Sequence, residues 1–197
     1  MRIGVFALQG AVEPHLHKLR NLGAEGFTVR TAEELATCAG LIVPGGESTT
    51  FLRLIGVYGL RQPLQDFAAA MPVWGICAGS ILMAREVENP PQESLGIMPI
   101  RVRRNAYGRQ NESFIGEVTL NLPGRAPITQ ESVFIRAPQI VAWDDGARIL
   151  AEHDGKPVAM RHGRHLTTTF HPELSEPEHL HQYFLNICDG ANSRASA

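Results

Sequence analysis

The first apolar stretch, Ile3-Gly4-Val5-Phe6-Ala7-Leu8, shows no polar alternation, the pattern of a strand buried on both faces of a parallel sheet. After Gln9-Gly10 the period changes. Val12, Leu16 and Leu19 recur at helical spacing, with His15, Lys18 and Arg20 on other faces. Phe27-Thr28-Val29 predicts a second strand, and Thr31-Ala-Glu-Glu34 has the form of a capping box opening a short helix. Leu41-Ile42-Val43 predicts a third buried strand, stopped by Pro44-Gly45-Gly46. Ser48 to Ile55 then reads as a helix, Pro63 to Ala70 as another, Pro72 to Ile76 as a fourth strand, and Ala78 to Val87 as a helix rich in apolar residues.

Strand and helix thus alternate as far as Val87, the signature of a parallel sheet covered by helices on both faces. Beyond Pro90-Pro91 the rhythm becomes strand after strand: Ile97 to Arg103, Phe114 to Leu120, Ser132 to Ile135, Ile140 to Trp143, Arg148 to Glu152, Val158 to Arg161 and Leu166 to Phe170. Ser175-Glu-Pro-Glu178 then caps a last helix with Leu180, Tyr183, Phe184 and Ile187 on one side. The expected architecture is a single α/β domain over 1–188, a doubly wound, mainly parallel sheet with an antiparallel extension. The small, polar segment 189–197 is expected to be a disordered, frayed tail.

Composition narrows the class of function. Of 197 residues 44% are apolar and 19% charged, a globular balance able to bury roughly 70% of the unfolded surface without a metal or disulfide staple. A formal charge of −2, spread along the chain, offers nucleic acid or an anionic membrane no electrostatic attraction. No apolar run reaches membrane-span length, and the N-terminal one is too short for a signal-peptide core. Three scattered cysteines, Cys38, Cys77 and Cys188, form neither a disulfide framework nor a zinc knuckle, so a reduced, cytoplasmic setting is the default.

The sharpest local feature is Gly75-Ile76-Cys77-Ala78-Gly79, where a buried strand meets a helix. It is the cysteine form of a nucleophile elbow: flanking glycines permit a tight turn, and the helix aims its free N–H groups at the sulfur. A buried structural cysteine between two packing glycines is the plainer alternative. A thiolate nucleophile needs a base and a group to orient that base. Phe170-His171-Pro172-Glu173 supplies both, and in extended chain His171 and Glu173 would share a face. Pro44-Gly45-Gly46-Glu47-Ser48 also follows a buried strand, and its glycine N–H groups, with that of Ala78, suit the oxyanion of acyl transfer.

Weaker candidates are the strand-end arginines Arg104 and Arg136, able to grip a carboxylate bidentately, although most such arginines are simply solvated. His15/His17, His162/His165 and His179/His181 look like metal pairs, but ligands two apart on a helix diverge and none joins an acidic or thiol cluster. Cys38, Cys188 and Met83 read as packing residues.

Together, Pro44-Gly-Gly-Glu-Ser48, Gly75-Ile-Cys-Ala-Gly79 and Phe170-His-Pro-Glu173 resemble the triad-type (class I) glutamine amidotransferases. Leu8-Gln9-Gly10-Ala11-Val12, Gly45-Gly-Glu-Ser-Thr-Thr50, Arg104-Asn105 with Tyr107-Gly-Arg-Gln110, and Phe134-Ile-Arg-Ala-Pro138 narrow the resemblance to the glutaminase subunits of pyridoxal 5'-phosphate synthases, from about Arg2 to Ile187. Ile76, Ser80 and Ala106-Tyr107 depart from that pattern without touching the triad.

The resemblance implies a three-layer, flavodoxin-like fold and hydrolysis of L-glutamine to glutamate and ammonia. Cys77 would be the nucleophile, His171 the general base and acid, Glu173 its orienter, and Gly46 and Ala78 the oxyanion donors. Gly46, Glu47, Ser48, Arg104, Ile135 and Arg136 would contact glutamine. It implies no metal or organic cofactor, and a partner synthase subunit that accepts the ammonia within a hetero-oligomeric complex. Two rivals remain at this level: a cysteine peptidase or amidase on the same fold, and a regulatory subunit with an inactive site.

Overall fold

The buried apolar runs form the centre of the sheet. The computed structural model describes residues 1–106 and 113–195. In it, β1 (Arg2–Phe6), β3 (Gly40–Val43) and β4 (Val73–Ile76) are sealed on both faces apart from Arg2. Successive side chains serve opposite cores: Ile3, Val5, Ile42, Trp74 and Ile76 point into one, Phe6, Leu41, Val43 and Val73 into the other. The first core is closed by α1 (Val12–Asn21) and α6 (His179–Ala195), through residues such as Leu19, Leu180 and Phe184. The second is closed by α2 (Ala32–Ala36), α3 (Ser48–Val57), α4 (Arg61–Ala70) and α5 (Ala78–Met83). Two helical layers with the sheet between them make the three-layer, doubly wound arrangement the alternation predicted.

Among the described residues the main sheet has nine strands, in the order β2 (Glu25–Val29), β1, β3, β4, β12 (His165–Thr168), β11 (Lys156–His162), β10 (Ala147–His153), β7 (Ser113–Leu120), β8 (Ile128–Ile135). Pairing is parallel from β2 to β12 and antiparallel from β12 outward. A separate three-stranded sheet joins β5 (Ala84–Glu88), β6 (Met98–Arg103) and β9 (Gln139–Trp143). The capping box forms as expected, with Glu34 N–H on Thr31 Oγ1 at 3.2 Å and Thr31 N–H on Glu34 Oε2 at 3.1 Å. Tyr107-Gly-Arg-Gln110, part of the resemblance, lies outside the described residues.

Three local expectations are corrected. The helix after Cys77 stops at Met83, and Ala84–Glu88 is strand β5 rather than more helix. Ala84 and Val87 bury against β6, while the outward-facing charges pair across strands: Glu86 with Arg101 at 2.6 Å and Glu88 with Arg103 at 2.6 Å. Tertiary pairing overrides a segment whose composition suits a helix equally well. His171 to Glu173 is not extended chain; Pro172–Leu174 is a 3₁₀ turn. The last helix continues to Ala195, through most of the segment read as a frayed tail.

The two glycines of the elbow are required by close approach rather than by flexibility. A Cβ on Gly75 would stand 2.5 Å from the Gly79 carbonyl oxygen, and one on Gly79 only 2.1 Å from that of Val43. Both obstacles are backbone. Gly79→Ala is therefore expected to lower stability by about 1–3 kcal/mol or more, read as a fall in the urea midpoint. An unchanged midpoint would show that β3 and α5 can separate freely.

Candidate active site

Parallel register brings three strand ends together: Val43 of β3 stands beside Gly75 of β4, and Ile76 of β4 beside Thr168 of β12. Whatever follows these strands meets at the carboxyl edge of the sheet, where open α/β folds build their sites.

After β4 comes Cys77, with φ 50° and ψ −102°, a conformation unusual for a residue bearing a Cβ. Such strain costs roughly 1–3 kcal/mol and persists only where neighbours hold it. Here Cys77 N–H donates to Thr168 O at 2.8 Å, and Cys77 O accepts from the Ser80 N–H at 3.0 Å and the Ser80 hydroxyl at 2.6 Å. The turn lifts the sulfur above the sheet, where the thiol meets the Ile135 carbonyl at 3.7 Å. Ala78 is the first residue of α5, so its N–H has no acceptor within the helix.

After β12 comes His171, whose backbone N–H is tied to Val133 O of β8 at 2.8 Å. Its Nδ1 lies 2.7 Å from Glu173 Oε1, a bond made across the 3₁₀ turn with both side chains almost wholly buried. Its Nε2 is buried and faces the Cys77 thiol. Burial alone would lower the His171 pKa, but the neighbouring Cys77 sulfur and the hydrogen bond to Glu173 with its charge outweigh it and raise it to about 10. Burial likewise works to raise the Glu173 pKa, and the hydrogen bond from His171 with the imidazole of His15 overcomes it, keeping the carboxyl below its ordinary value. The Glu173 carboxylate thus makes His171 a strong proton acceptor beside the sulfur.

After β3 comes the Gly45–Gly46 turn, packed so closely that a Cβ on Gly45 would stand 2.4 Å from His171 Cε1. The loop after β1 grips it. Ala11 N–H donates to Gly45 O at 3.2 Å; Gln9 Nε2 donates to Glu47 O at 2.7 Å, and Gln9 Oε1 accepts from Glu47 N–H at 3.3 Å. Glu47 caps α3, accepting from Thr50 N–H at 2.9 Å, and its other oxygen lies 3.5 Å from Arg104 Nη2. Burial would raise the Glu47 pKa, but the Thr49 and Thr50 hydrogen bonds and the Arg104 charge hold it below its usual range. Ser48, buried at the start of α3, donates its hydroxyl to Gln92 Oε1 at 3.0 Å.

These segments enclose a cleft of about 340 Å³, at the small end of ligand-pocket sizes. Gly46, Glu47, Ser48, Cys77, Ala78, Arg104, Ile135, Arg136 and His171 all line it, so the structure brings together every site residue singled out in the sequence except Glu173, which stands behind His171. Three of its lining residues, Cys77, Asn105 and Arg136, are non-glycine residues at positive φ (50°, 51° and 42°), a concentration of strain that points to function. Cys38 and Cys188 are elsewhere, buried in the two cores; burial pushes the Cys38 thiol up to about 11 and the Cys188 thiol up as well. Among the described residues no three His, Cys, Asp or Glu side chains are grouped to hold a metal.

With this geometry in place, comparison with known proteins decides the lineage. The SNO glutamine amidotransferase family matches residues 5–190. The chain belongs to that family. It is 47% identical over 193 residues to pyridoxal 5'-phosphate synthase subunit PdxT of Koribacter versatilis, covering 98% of each chain. Its identity to the protein of the same name from Geobacillus kaustophilus is 46% over 197 residues, covering 100% of this chain and 99% of the other. Among solved structures, a glutamine amidotransferase superposes with a TM-score of 0.87 at 39% identity, covering 95% of this chain and 98% of that one. No helix among the described residues is long and apolar enough to cross a membrane.

The sequence pattern does not point to Ile81, which lines the cleft from α5, or to Gln92, whose place beneath Ser48 depends on the irregular segment before β6. Neither has a pattern in the sequence that could have announced it. His15 and His181, which spacing joins to His17 and His179, are partners of each other.

Proposed function

We propose that this chain hydrolyses the side-chain amide of L-glutamine to glutamate and ammonia, and that it is the glutaminase subunit of a cytoplasmic, hetero-oligomeric pyridoxal 5'-phosphate synthase. The observation that carries the reading is the alignment of Cys77, His171 and Glu173 at adjoining strand ends, beside a small cleft, in a chain belonging to a glutamine amidotransferase family.

Cys77 Sγ, with its proton passed to His171 Nε2, attacks the amide carbon. The carbonyl becomes an oxyanion, for which the Ala78 N–H and the N–H of Gly46 are the donors. His171 returns the proton to the nitrogen, the C–N bond breaks, and ammonia leaves a thioester on Cys77. Water, deprotonated by His171, then attacks the thioester; glutamate departs and the thiol is restored. Glu173 keeps the imidazole oriented and balances its charge. Arg104, Arg136, Ser48 and the backbone of Glu47 and Ile135 hold the amino-acid end of glutamine.

The direct test is steady-state ammonia release from L-glutamine by the complex with the synthase subunit, together with labelling by a glutamine-like alkylating agent. Stoichiometric labelling at Cys77 with loss of turnover supports the reading; labelling confined to Cys38 or Cys188 overturns it. The arginines supply a second prediction. Arg104→Ala and Arg136→Ala should raise KM for glutamine about tenfold or more while lowering kcat much less, because a carboxylate grip acts equally on ground state and transition state. Unchanged kinetics in both would remove them from the substrate site.

A further inference from the structure

Behind the Cys77–His171–Glu173 line lies a buried histidine pair that the chemistry above does not use. Glu173 gives Oε1 to His171, while its Oε2 has no hydrogen-bond partner and faces His15 Nε2, itself unpartnered, at 3.6 Å. His15 places its other nitrogen, Nδ1, 3.0 Å from His181 Nε2. Both rings are sealed from solvent and stand edge-on to Trp74, with centroid separations of 6.3 Å for His15 and 4.9 Å for His181. The groups come from α1, the turn after β12 and α6, so the fold assembles them from distant parts of the chain.

The protons in this row can be assigned. A lone pair on His15 Nε2 would face a carboxylate lone pair in a dry interior, leaving two polar atoms unsatisfied at roughly 1–3 kcal/mol each. The separation is too short to admit a water between them. His15 therefore carries its proton on Nε2, directed at Glu173. Its Nδ1 is then an acceptor, and His181 must donate from Nε2. Both rings are neutral. Burial drives His15 down to about 3 despite the Glu173 charge, and burial together with the Lys18 ammonium does the same to His181. Lys18 is held by Ser175 O at 2.9 Å and by Glu176. A neutral donor suits this place: it fixes the second oxygen of Glu173 without competing with the His171 imidazolium for the carboxylate charge, as a buried cation would.

We propose that His15 and His181 are positioning residues for the reaction: His15 orients Glu173 through its free oxygen, and His181 fixes the tautomer that lets His15 do so. The proposal rests on the reading of Cys77, His171 and Glu173 as the reacting line. Its test uses the chain in complex with its synthase subunit. His15→Phe keeps a ring in the cavity but removes the donor. It should lower kcat about tenfold or more while KM stays within about twofold, since only alignment is lost. It should also move the alkaline limb of the kcat profile to lower pH, because His171 loses part of the carboxylate support that raises it. His15→Gln, whose Nε2 donates toward Glu173 and whose Oε1 accepts from His181, should recover most of kcat.

Wild-type kcat in a folded His15→Phe overturns the proposal, and so does an equal loss in His15→Phe and His15→Gln, the mark of packing alone. Should neither variant fold, nitrogen spectra of the wild-type imidazoles decide: both rings neutral with the proton on Nε2 from about pH 5 to pH 9 support it, and a proton on His15 Nδ1 overturns it. Cys77→Ala separates the two levels. Ammonia release by that variant would overturn the site itself, whereas a silent Cys77→Ala beside a fully active His15→Phe would overturn only the histidine pair.

Discussion

Cys77→Ala is expected to abolish ammonia release, by about 10⁴-fold or more, while leaving the protein folded. Among the described residues the sulfur is the only thiol at the cleft, and the nearby serine hydroxyls are committed elsewhere, Ser80 to the Cys77 carbonyl and Ser48 to Gln92 Oε1. Cys38→Ala and Cys188→Ala remove thiols from the cores and should retain turnover. A stability measurement adds an independent check on the elbow. Alanine inherits the strain of φ 50°, whereas glycine does not, so Cys77→Gly should unfold at the same or higher urea concentration than Cys77→Ala. Ammonia release that survives in Cys77→Ala, or that disappears in Cys38→Ala, would place the nucleophile elsewhere.

The parallel half of the fold was legible because its strands are buried on both faces, which leaves apolar runs such as Ile3 to Leu8 and Leu41 to Val43 that no other arrangement explains as well. The elbow and the glycine turn were legible for a related reason: their residue types answer to backbone geometry at a strand end. The end of α5 was not. Ala84-Arg-Glu-Val87 suits a helix locally and becomes β5 only because β6 is there to pair with it. The same limit applies to His15 and His181, which are 166 residues apart. Periodicity ties each to its helical neighbour, His17 or His179, and only the packing of α1 against the turn carrying Glu173 and against α6 makes them a pair. His171 and Glu173 lie close in sequence and were linked correctly, though through a 3₁₀ turn in place of an extended chain. Local chemistry can be read from spacing; contacts made across the sheet depend on topology.

Addition of the synthase subunit is expected to raise glutaminase turnover by about two orders of magnitude over that of the chain alone. At neutral pH free ammonia is largely protonated and no longer nucleophilic, so a glutaminase running without its acceptor would waste glutamine. The structure gives this coupling a mechanical route. In the proposed mechanism the Gly45–Gly46 peptide supplies one of the two oxyanion donors; its carbonyl is tied to Ala11 N–H while Gln9 clamps both backbone groups of Glu47 on the far side. Gly10, between these two contacts, has φ 94°, and a Cβ there would stand 2.3 Å from the Gly45 oxygen. The loop after β1 therefore cannot shift without moving the peptide that holds the oxyanion donor. A partner pressing on this loop would set the donor's orientation while Cys77, His171 and Glu173, fixed by β4, β8 and β12, stay in place. Loss of one oxyanion donor lowers the rate roughly 10²–10³-fold, enough to hold the lone subunit nearly silent. Gln9→Leu removes the clamp with little change in size. It should reduce the activation by the partner far more than it alters the slow turnover of the chain alone, with ammonia release at saturating glutamine as the measurement. Equal, high turnover with and without the synthase subunit would end the case for gating and leave the nucleophile and its base where they are.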